Sequence, residues 1–214
     1  LVGYFGRINY NYQGRYYLSA SIRHEGSSKF GADHKWGTFP AVSIGWNLKE
    51  ESFLKNVRFL SFLKLRAGYG ITGTIPGSPY LSLNTLDLGG YGYYGGQWTT
   101  LLRASSNPNS DLRWEKKKET NIGLDFAFFN DRISGSIDWY NRDTDDLIWD
   151  YTVSVPPYVK NTITANAGSI RNRGLEVSLN FIPVKTKSFT WNTGINFSTN
   201  SNDCLLYTSD AADE

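Results

Sequence analysis

The chain has 214 residues, with 22 basic and 20 acidic side chains, and its net charge of +2 gives no reason to expect a nucleic-acid partner. One cysteine and two histidines leave too little material for a disulfide or a clustered metal site, and we expect no cofactor. No stretch approaches the roughly 18 consecutive apolar residues of a transmembrane helix, which excludes helical spans but not a β-barrel. Because methionine is absent and no signal segment precedes Leu1, we expect an interior piece of a longer protein.

A two-residue alternation of apolar and polar side chains recurs along the chain, which is typical of β-strands. In the segment Tyr16 to Arg23, for example, Leu18 and Ile22 share one face while Ser19 and Ser21 share the other. The alternation predicts about eight strands, near residues 2–12, 16–23, 40–48, 63–70, 121–128, 133–140, 175–181 and 189–198.

Short and long connections alternate between these predicted strands. Short links lie at 13–14, 49–61, 130–131 and 185–187, the second with room for a turn of helix, and long ones at 25–38, 72–112 and 151–168. Outer-membrane barrels have this asymmetry, with short periplasmic turns and long outer loops. The pattern predicts an all-β fold, an antiparallel up-and-down transmembrane β-barrel segment of about eight strands.

Aromatic residues test the barrel prediction, because barrels carry aromatic girdles at the membrane boundaries. An alternative is that aromatic residues are simply common in strands. Their placement near the short links favours a periplasmic girdle, and the residues concerned are Tyr10, Tyr12, Tyr16, Phe128, Phe129, Phe181, Phe189 and Trp191.

Three motifs resemble catalytic or ligand sites. Gly68, Gly70 and Gly73 match a dinucleotide-binding pattern, but "TIPGSP" follows where a helix is needed, so we interpret them as lumen-facing glycines of a barrel strand. The segment from Asn141 to Thr152 lacks the glycine and the final glutamate of a calcium loop, although a looser cation site stays open.

His24 and His34 flank a long polar loop that offers no rigid scaffold for a catalytic triad. We therefore predict no catalytic, cofactor-binding or metal-ligating residue, and no enzyme.

Two further clusters bear on what the chain contacts. Four cations, Arg113, Lys116, Lys117 and Lys118, fall at the loop end of a strand, where they either meet anionic lipid head groups or stay solvated, and solvation is favoured. Aromatic loop residues suit stacking on sugar faces or packing of the loop upon itself, and self-packing is favoured. The candidate ligand-contacting residues are Trp36, Tyr91, Tyr93, Tyr94, Trp98 and Trp149.

Four stretches in sequence order resemble the barrel of SusC/RagA-type TonB-dependent outer-membrane transporters of Bacteroidetes-like bacteria. They are "RYYLSASIRHEGSSKFGADHKWGTFPAVSIGWNLKEESFL", "LKLRAGYGITG", "NPNSDLRWEKKKETNIGLDFAFFNDRISGSIDWYNRDTDDLI" and "NAGSIRNRGLEVSLNF". The resemblance covers Tyr4 to about Asn200 and implies a location in the cell outer membrane.

The resemblance implies a barrel of about 22 strands with an internal plug. It also implies import of oligosaccharides, or alternatively peptides, with a SusD-like surface lipoprotein and the TonB complex as partners. An eight-stranded fragment with open edges is not expected to transport by itself. The alternatives are a secreted soluble β-rich carbohydrate-binding module and a passive porin.

The last residues depart from both the alternation and the family resemblance. We expect 1–200 to be partial receptor barrel and 201–214 a non-native tail, because "CLLYTSDAADE" has a reverse translation similar to a sequencing-library adapter. Translated adapter over Cys204 to Glu214 is the preferred interpretation, and a genuine variable loop is the alternative.

Overall fold

The computed structural model describes residues 1–206, so 207–214 of the predicted tail lie outside the described part. A 3₁₀ turn at Leu48–Glu50 and a short helix, α1, at Ser52–Lys55 form the predicted helical turn of the second short link. The strands are β1 Val2–Tyr12, β2 Tyr16–Gly26, β3 Trp36–Asn47, β4 Leu60–Thr74, β5 Leu86–Tyr94, β6 Gln97–Ala104, β7 Glu115–Phe128, β8 Ile133–Asp145, β9 Ile148–Thr152, β10 Thr162–Asn166, β11 Ser169–Lys185 and β12 Thr190–Leu206.

Eight of the strands form one antiparallel sheet in the order β1-β2-β3-β4-β7-β8-β11-β12. Each strand pairs with the next in this order, and β1 and β12 stand at opposite edges of the sheet. The eight strands predicted from alternation are therefore confirmed. The tight turn at the first short link holds Gln13 and Gly14 at φ 53° and 67°. Glycine adopts such positive φ values without steric cost.

The register of the sheet brings the apolar members of each strand onto one face. Along one row, Trp46 opposes Leu65, Leu65 opposes Leu124, and Leu124 opposes Ile137. The row continues through Val177 to Phe197. We call this the outward face, and the polar side that carries Lys64 and Arg66 the inward face.

The outward face is exposed in this chain, with Ile44 at 57%, Phe197 at 58% and Ile195 at 59% of full exposure. A soluble two-layer sandwich would bury such a face against a second sheet. The exposure fits a surface whose natural neighbour is lipid.

Aromatic side chains collect at the short-link end of the outward face, as predicted. Tyr16 stacks between Tyr12 and Trp46, with ring centroids 6.4 and 6.3 Å apart. Farther along the sheet, Phe59 stacks on Phe128 at 6.1 Å. These rings form a belt at the level where a periplasmic membrane boundary is expected.

The long links contain structure that alternation did not reveal. Hairpin β5–β6 lies within the predicted 72–112 loop, and hairpin β9–β10 joins residues 148–166. The first closes through Gly95 and Gly96 with φ 58° and 82°, the positive values that a two-residue hairpin turn requires.

Two other predictions meet the structure directly. No helix follows β4, which excludes the dinucleotide site. Gly68 and Gly70 lie on the inward face. Gly73 belongs to the other face by alternation and packs under Phe39 and Trp114. The expectation that all three glycines face the lumen is therefore wrong for Gly73. Strand β12 pairs with β11 as far as Leu206, whereas the origin of the tail stays a prediction.

Within residues 1–206 the structure contains no helix with the length and apolar character needed to cross a membrane.

Candidate ligand-facing surface at the outer end of the sheet

The long links meet at one end of the sheet around a small hydrophobic core. Phe30, Leu112 and Trp114 are 1%, 0% and 3% exposed, and Phe39 from β3 packs among them at 6%. The Trp114 ring lies 4.8 Å from the Phe30 ring and 5.1 Å from the Phe39 ring. Residues 27–35, 75–83, 105–114 and 146–168, which surround this core, are named the loop plate below.

Asn107 joins two segments of the loop plate through both ends of its amide. Its Nδ2 donates to the carbonyls of Lys160 and Thr162 at 2.7 and 2.8 Å, and its Oδ1 accepts from the amides of Val159 and Lys160 at 2.9 and 3.1 Å. The side chain is only 5% exposed. Because every hydrogen-bonding group of this buried amide has a partner, the two segments are held in one arrangement.

A second set of connections lies farther along the 105–114 segment. Asn109 donates to the Thr164 carbonyl at 3.0 Å, and Asn166 exchanges bonds with the Arg113 backbone at 2.7 and 2.8 Å. The Arg113 guanidinium donates to Asp146 at 2.6 Å, and this hydrogen bond raises the pKa of Arg113 above its ordinary value. Residues 105–114 therefore run along β10 like an additional, side-chain-bonded strand.

The 27–35 segment is fixed to the rest of the loop plate by one backbone hydrogen bond and by the side chain of Lys29. Gly31 donates to the Leu112 carbonyl at 3.1 Å, and a Cβ at Gly31 would stand 1.6 Å from the Ser110 carbonyl oxygen. Only glycine allows this approach. The Lys29 ammonium donates to the carbonyls of Pro76 and Gly77, both at 2.8 Å.

Hairpin β5–β6 presents most of the candidate aromatic residues. Tyr91, Tyr93, Tyr94 and Trp98 are 74%, 65%, 84% and 71% exposed. Tyr93 and Trp98 face each other across the hairpin with ring centroids 5.5 Å apart in an edge arrangement, and Tyr91 shares their side of the ladder. The favoured expectation, packing of the loop upon itself, is seen only in the contact between Tyr93 and Trp98, and all four rings stay accessible.

The other two candidates lie apart from this hairpin. Trp149 belongs to β9 of the loop plate and is 66% exposed. Trp36 begins β3 on the outward face, where it stacks on His24 at 4.8 Å and on Tyr4 at 6.4 Å. Its position matches the outer end of the lipid-facing surface, and its role as a ligand contact stays a prediction.

The inward face is polar and carries paired charges at mid-height. Arg66 on β4 donates to both oxygens of Asp125 at 2.7 and 2.8 Å and to Asp138 on β8 at 2.9 Å. Gly123 lies between the carboxylates, and a Cβ there would stand 2.7 Å from the Arg66 guanidinium. A fixed polar wall of this kind suits a hydrated lumen.

The remaining motif residues have structural partners. The His24 ring bonds the Thr38 hydroxyl at 2.9 Å, and Asp143 accepts from Arg171 at 2.6 Å. Asp145 accepts from Lys118 at 2.8 Å. Among residues 1–206 no group of three or more metal-ligating side chains is assembled, so the looser cation site has no geometric support.

Sequence reasoning missed the residues that hold the loop plate together. Phe30, Leu112 and Trp114 stand singly in polar segments, and Asn107 and Asn109 resemble ordinary turn residues. One signal was present: three apolar residues in polar loops are candidates for a separate small core beneath the loops. Nothing in the spacing indicates which loops they join.

Comparison with known proteins places the chain in a family. The family model described as "TonB dependent receptor-like, beta-barrel" matches residues 2–213. The TonB-dependent receptor SusC of Bacteroides thetaiotaomicron is 43% identical over 214 residues, covering 97% of this chain and 21% of the relative. The TonB-dependent receptor P39 of Formosa agariphila is 40% identical over 202 residues, covering 94% of this chain and 19% of that protein.

Solved structures agree with these relatives. The RagAB peptide transporter superposes with a TM-score of 0.88 at 27% identity, covering 97% of this chain and 22% of that one. The alcaligin receptor FauA of Bordetella pertussis gives a TM-score of 0.57 at 12% identity over 95% of this chain and 30% of that one, which shows a shared fold alone.

The chain spans about a fifth of the length of the curated relatives it matches. Family membership confirms the outer-membrane location and the expectation that the chain is not an enzyme, because the family consists of transporters. The apolar outward face, the alternating link lengths and these similarities lead to one conclusion: the chain belongs to the TonB-dependent receptor-like β-barrel family and is of SusC/RagA type.

Proposed function

We propose that the chain supplies part of the wall and the outer loops of a TonB-dependent transporter that imports oligosaccharides. The observation that supports this most is the rigid loop plate beside a hairpin whose rings are exposed, since Tyr93 and Trp98 are 65% and 71% accessible. Flat aromatic faces with polar edges stack on sugar rings. Tyr93 and Trp98 contact each other across the hairpin, so part of their orientation is set before the ligand arrives, which lowers the entropic cost of binding.

Peptides are the second candidate substrate class. The structure that superposes well is described as a peptide transporter, whereas the name of SusC states no substrate. Peptide recognition along an extended backbone would use hydrogen bonds to a strand edge. Both strands of hairpin β5–β6 have a free edge that an extended peptide could pair with. The exposed aromatic rings near its turn are the feature that favours the sugar proposal.

The proposed partners are a SusD-like surface lipoprotein at the outer loops and the TonB complex at the periplasmic side. The support is the sequence similarity to SusC and the structural similarity to the RagAB transporter. The first partner would meet the loop plate and hairpin β5–β6, because these present the exposed surface at the outer end. The chain alone, with β1 and β12 at opposite edges of an open sheet, is not expected to transport.

The alternatives are less well supported. A soluble carbohydrate-binding module is contradicted by family membership and by an outward face on which Ile44 and Ile195 are more than half exposed. A passive porin would not need the TonB-dependent type of barrel that the family model identifies.

The test is ligand binding by the full-length transporter that contains this chain, purified with its partner lipoprotein. Titration calorimetry with a panel of oligosaccharides and a panel of short peptides should give binding with sugars. Replacement of Trp98 by alanine should weaken it about tenfold, which corresponds to roughly 1.4 kcal/mol, within the range of one aromatic contact.

The matched control is Trp191→Ala, because Trp191 is also exposed, at 53%, but lies on the outward face of β12. Sugar affinity should be unchanged in this variant. Binding of peptides alone, or equal weakening by both substitutions, would contradict the proposal.

A further inference from the structure

The inward face of the eight-stranded sheet has two sectors of different chemistry. On β4, β7 and β8 it is charged, and Arg66 holds the carboxylates of Asp125 and Asp138 at hydrogen-bonding distance. On β11 and β12 the inward positions carry amides, serines and glycines, with Glu176 as the one charged residue among them. These positions are every second residue of 172–180 and of 192–200.

Asparagine is the commonest residue of this second sector. Asn196 opposes Ser178 in the register, and its neighbour Phe197 lies on the outward face, so the amide belongs to the inward face. Asn180 opposes Gly194, and a Cβ at Gly194 would stand 3.1 Å from the Asn180 Oδ1, so this amide lies over the inward side of the pair. We name five residues the amide track: Asn172, Asn180, Asn192, Asn196 and Asn200.

The amide track has hydrogen-bonding groups that the protein leaves free. Within residues 1–206 none of its five side chains bonds another protein group, and all of them except Asn172 are exposed. Asn107 of the loop plate is the opposite case, because its amide is buried and fully satisfied. An amide side chain offers two N–H donors and an oxygen with two lone pairs. A ligand that both donates and accepts hydrogen bonds can therefore take the place of water along the track.

The amide track extends over most of the depth of the membrane. Asn172 and Asn180 are eight positions apart on β11, and Asn200 and Asn192 are eight positions apart on β12. Eight residues span about 26 Å along a strand, which a barrel tilt of about 40° reduces to roughly 20 Å. The apolar band of an outer-membrane barrel is about 25 Å tall. The track therefore connects the outer end of the inward face with its short-link end.

An aromatic ring flanks the outer part of the amide track. Tyr140 on β8 opposes Gly174, and Gly174 opposes Asn200. A Cβ at Gly174 would stand 2.6 Å from the Tyr140 hydroxyl oxygen, so the half-buried ring extends over the glycine towards Asn200. An aromatic face beside free amides can stack on a sugar ring while the amides bond its hydroxyl groups.

The other end of the amide track borders an open hollow of about 600 Å³. Short side chains leave this space free, and the polar residues that line it beside the track are Ser134, Ser136, Ser178 and Asn180. Its volume falls within the roughly 300–1,000 Å³ of small-ligand sites. The track therefore has one place that suits a sugar ring near Tyr140 and another at its short-link end.

We propose that the amide track is the side of the lumen along which the imported oligosaccharide moves from the outer loops towards the periplasm. This inference rests on the proposed function and adds the path inside the barrel. Sugar hydroxyls exchange hydrogen bonds between neutral amides and water at small net cost. On β4 to β8 they would instead compete with the ion pairs of Arg66. Several weak, similar sites let a ligand leave as readily as it enters, which transport requires.

The experiment compares three double variants of the full-length transporter with its partner lipoprotein. Asn196→Leu with Asn200→Leu removes two amides at nearly constant volume, and Asn196→Gln with Asn200→Gln keeps them. Ser19→Leu with Ser43→Leu is the control, because these serines oppose each other on the inward face of β2 and β3, in the row that leads to Asn200.

Two quantities are measured with a tritium-labelled oligosaccharide from the calorimetric panel: its affinity for the purified complex and its rate of uptake by cells at saturating concentration. We expect about tenfold slower uptake for the asparagine-to-leucine variant, because each lost amide leaves a sugar hydroxyl without a partner on the path. Affinity should be unchanged, since the outer rings bind the sugar first. The glutamine variant and the serine-site control should import at close to the normal rate.

Normal uptake by the asparagine-to-leucine variant, or equal slowing in the serine-site control, would overturn the proposal. So would slow uptake by the glutamine variant, since that would indicate a steric role for these positions. Heat-modifiable gel migration shows whether each barrel is folded. If the double variant does not fold, Asn196→Leu against Asn196→Gln gives the same contrast, with about threefold slower uptake expected for leucine alone.

Failure of this inference and failure of the proposed function give different results. Sugar binding by the unchanged transporter, together with normal uptake by the asparagine-to-leucine variant, would overturn the amide track alone. If the unchanged transporter binds peptides and no sugar, the proposed function is wrong, and the sugar path falls with it.

Discussion

The sheet and the loop plate bury apolar side chains in opposite ways. In the sheet, large apolar residues such as Ile44 and Ile195 are more than half exposed, and the strands are joined through their backbone ladders. In the loop plate, Phe30 and Leu112 are the largest side chains that are fully buried in the described part of the chain. The eight-stranded sheet, called the wall from here on, depends on lipid to cover its outward face, whereas the loop plate has a core of its own.

This difference has a functional meaning. A ligand-facing loop region that depended on lipid or on a partner for its order would pay an entropic cost at each binding event. The loop plate avoids part of this cost because Asn107 and Trp114 fix its segments by contacts within the chain. Hairpin β5–β6 has no comparable core: Leu88 and Tyr94 are 72% and 84% exposed.

The largest expected effect comes from removing the centre of the loop core. Trp114→Ala in the full-length receptor should destabilise the loop plate by about 3–5 kcal/mol, because a 3% exposed indole is replaced by a cavity. It also loses the 3.1 Å hydrogen bond from Trp114 Nε1 to the Lys35 carbonyl. Hydrogen exchange should increase in 27–35 and 105–114 but not in β7 or β8.

Trp98→Ala is the control for that experiment, since Trp98 is 71% exposed. It should leave exchange in the loop plate unchanged. Faster exchange throughout the eight-stranded sheet of the Trp114 variant would mean that the loop plate and the sheet unfold as one cooperative unit. The distinction between a self-supported loop plate and a lipid-supported sheet would then be wrong.

The wall should be sensitive to a charge introduced on its outward face. Val42 lies on the outward face near mid-height, and an arginine there should destabilise the membrane-inserted barrel by about 2–4 kcal/mol. Ser43→Arg, one residue away on the inward face opposite Gly68, should cost far less. Heat-modifiable gel migration and urea titration in lipid vesicles measure the difference. Equal losses would mean that the face next to lipid was assigned incorrectly.

Sequence alone predicted the wall because one physical rule, a two-residue period, determines it. Apolar side chains recur at every second position of a strand that has lipid on one side and water on the other, as Leu18 and Ile22 do in β2. The same rule could not separate Lys116 and Lys118 from Lys117 by environment, because all three are charged. Strand register was needed to place Lys117 on the inward face and the other two on the outward face.

The loop plate was not predictable for a different reason. Its core joins Phe30 to Leu112 and Trp114, which are more than 80 positions away in the chain, and no local period connects them. Hairpin β5–β6 was missed because glycines interrupt the alternation in β5. The Gly95 and Gly96 pair, with aromatic residues on both sides, was a turn signal that the sequence did contain.

A smaller effect is expected at the hydrogen-bonded centre of the loop plate. Asn107→Ala should destabilise the contact between 105–114 and 159–162 by about 1–3 kcal/mol, because the carbonyls of Lys160 and Thr162 lose the hydrogen bonds from this buried amide. Limited proteolysis should cleave near Lys160 faster. Asn56→Ala, at an exposed position in the second short link, is the matched control and should leave the cleavage rate unchanged.

The smallest expected effect lies at the other end of the wall and depends on pH. Glu51 accepts hydrogen bonds from the Tyr16 hydroxyl at 2.7 Å and from Trp46 Nε1 at 3.0 Å, and these bonds lower the pKa of Glu51 below its ordinary value of 4.5. Since the pKa is lowered in the folded state, the stabilisation is present above the ordinary value and is lost as pH falls through the lowered one.

Unfolding midpoints of the full-length receptor, measured from about pH 6 to about pH 3, should therefore fall less steeply in Glu51→Gln than in the unchanged protein. Glu50→Gln, which changes the neighbouring carboxylate in the same link, should keep the steeper dependence. If both variants keep it, the bonds from the aromatic belt to Glu51 do not stabilise the short link. The wall would then depend on its ladders and on lipid alone, and the contrast with the self-supported loop plate would be sharper.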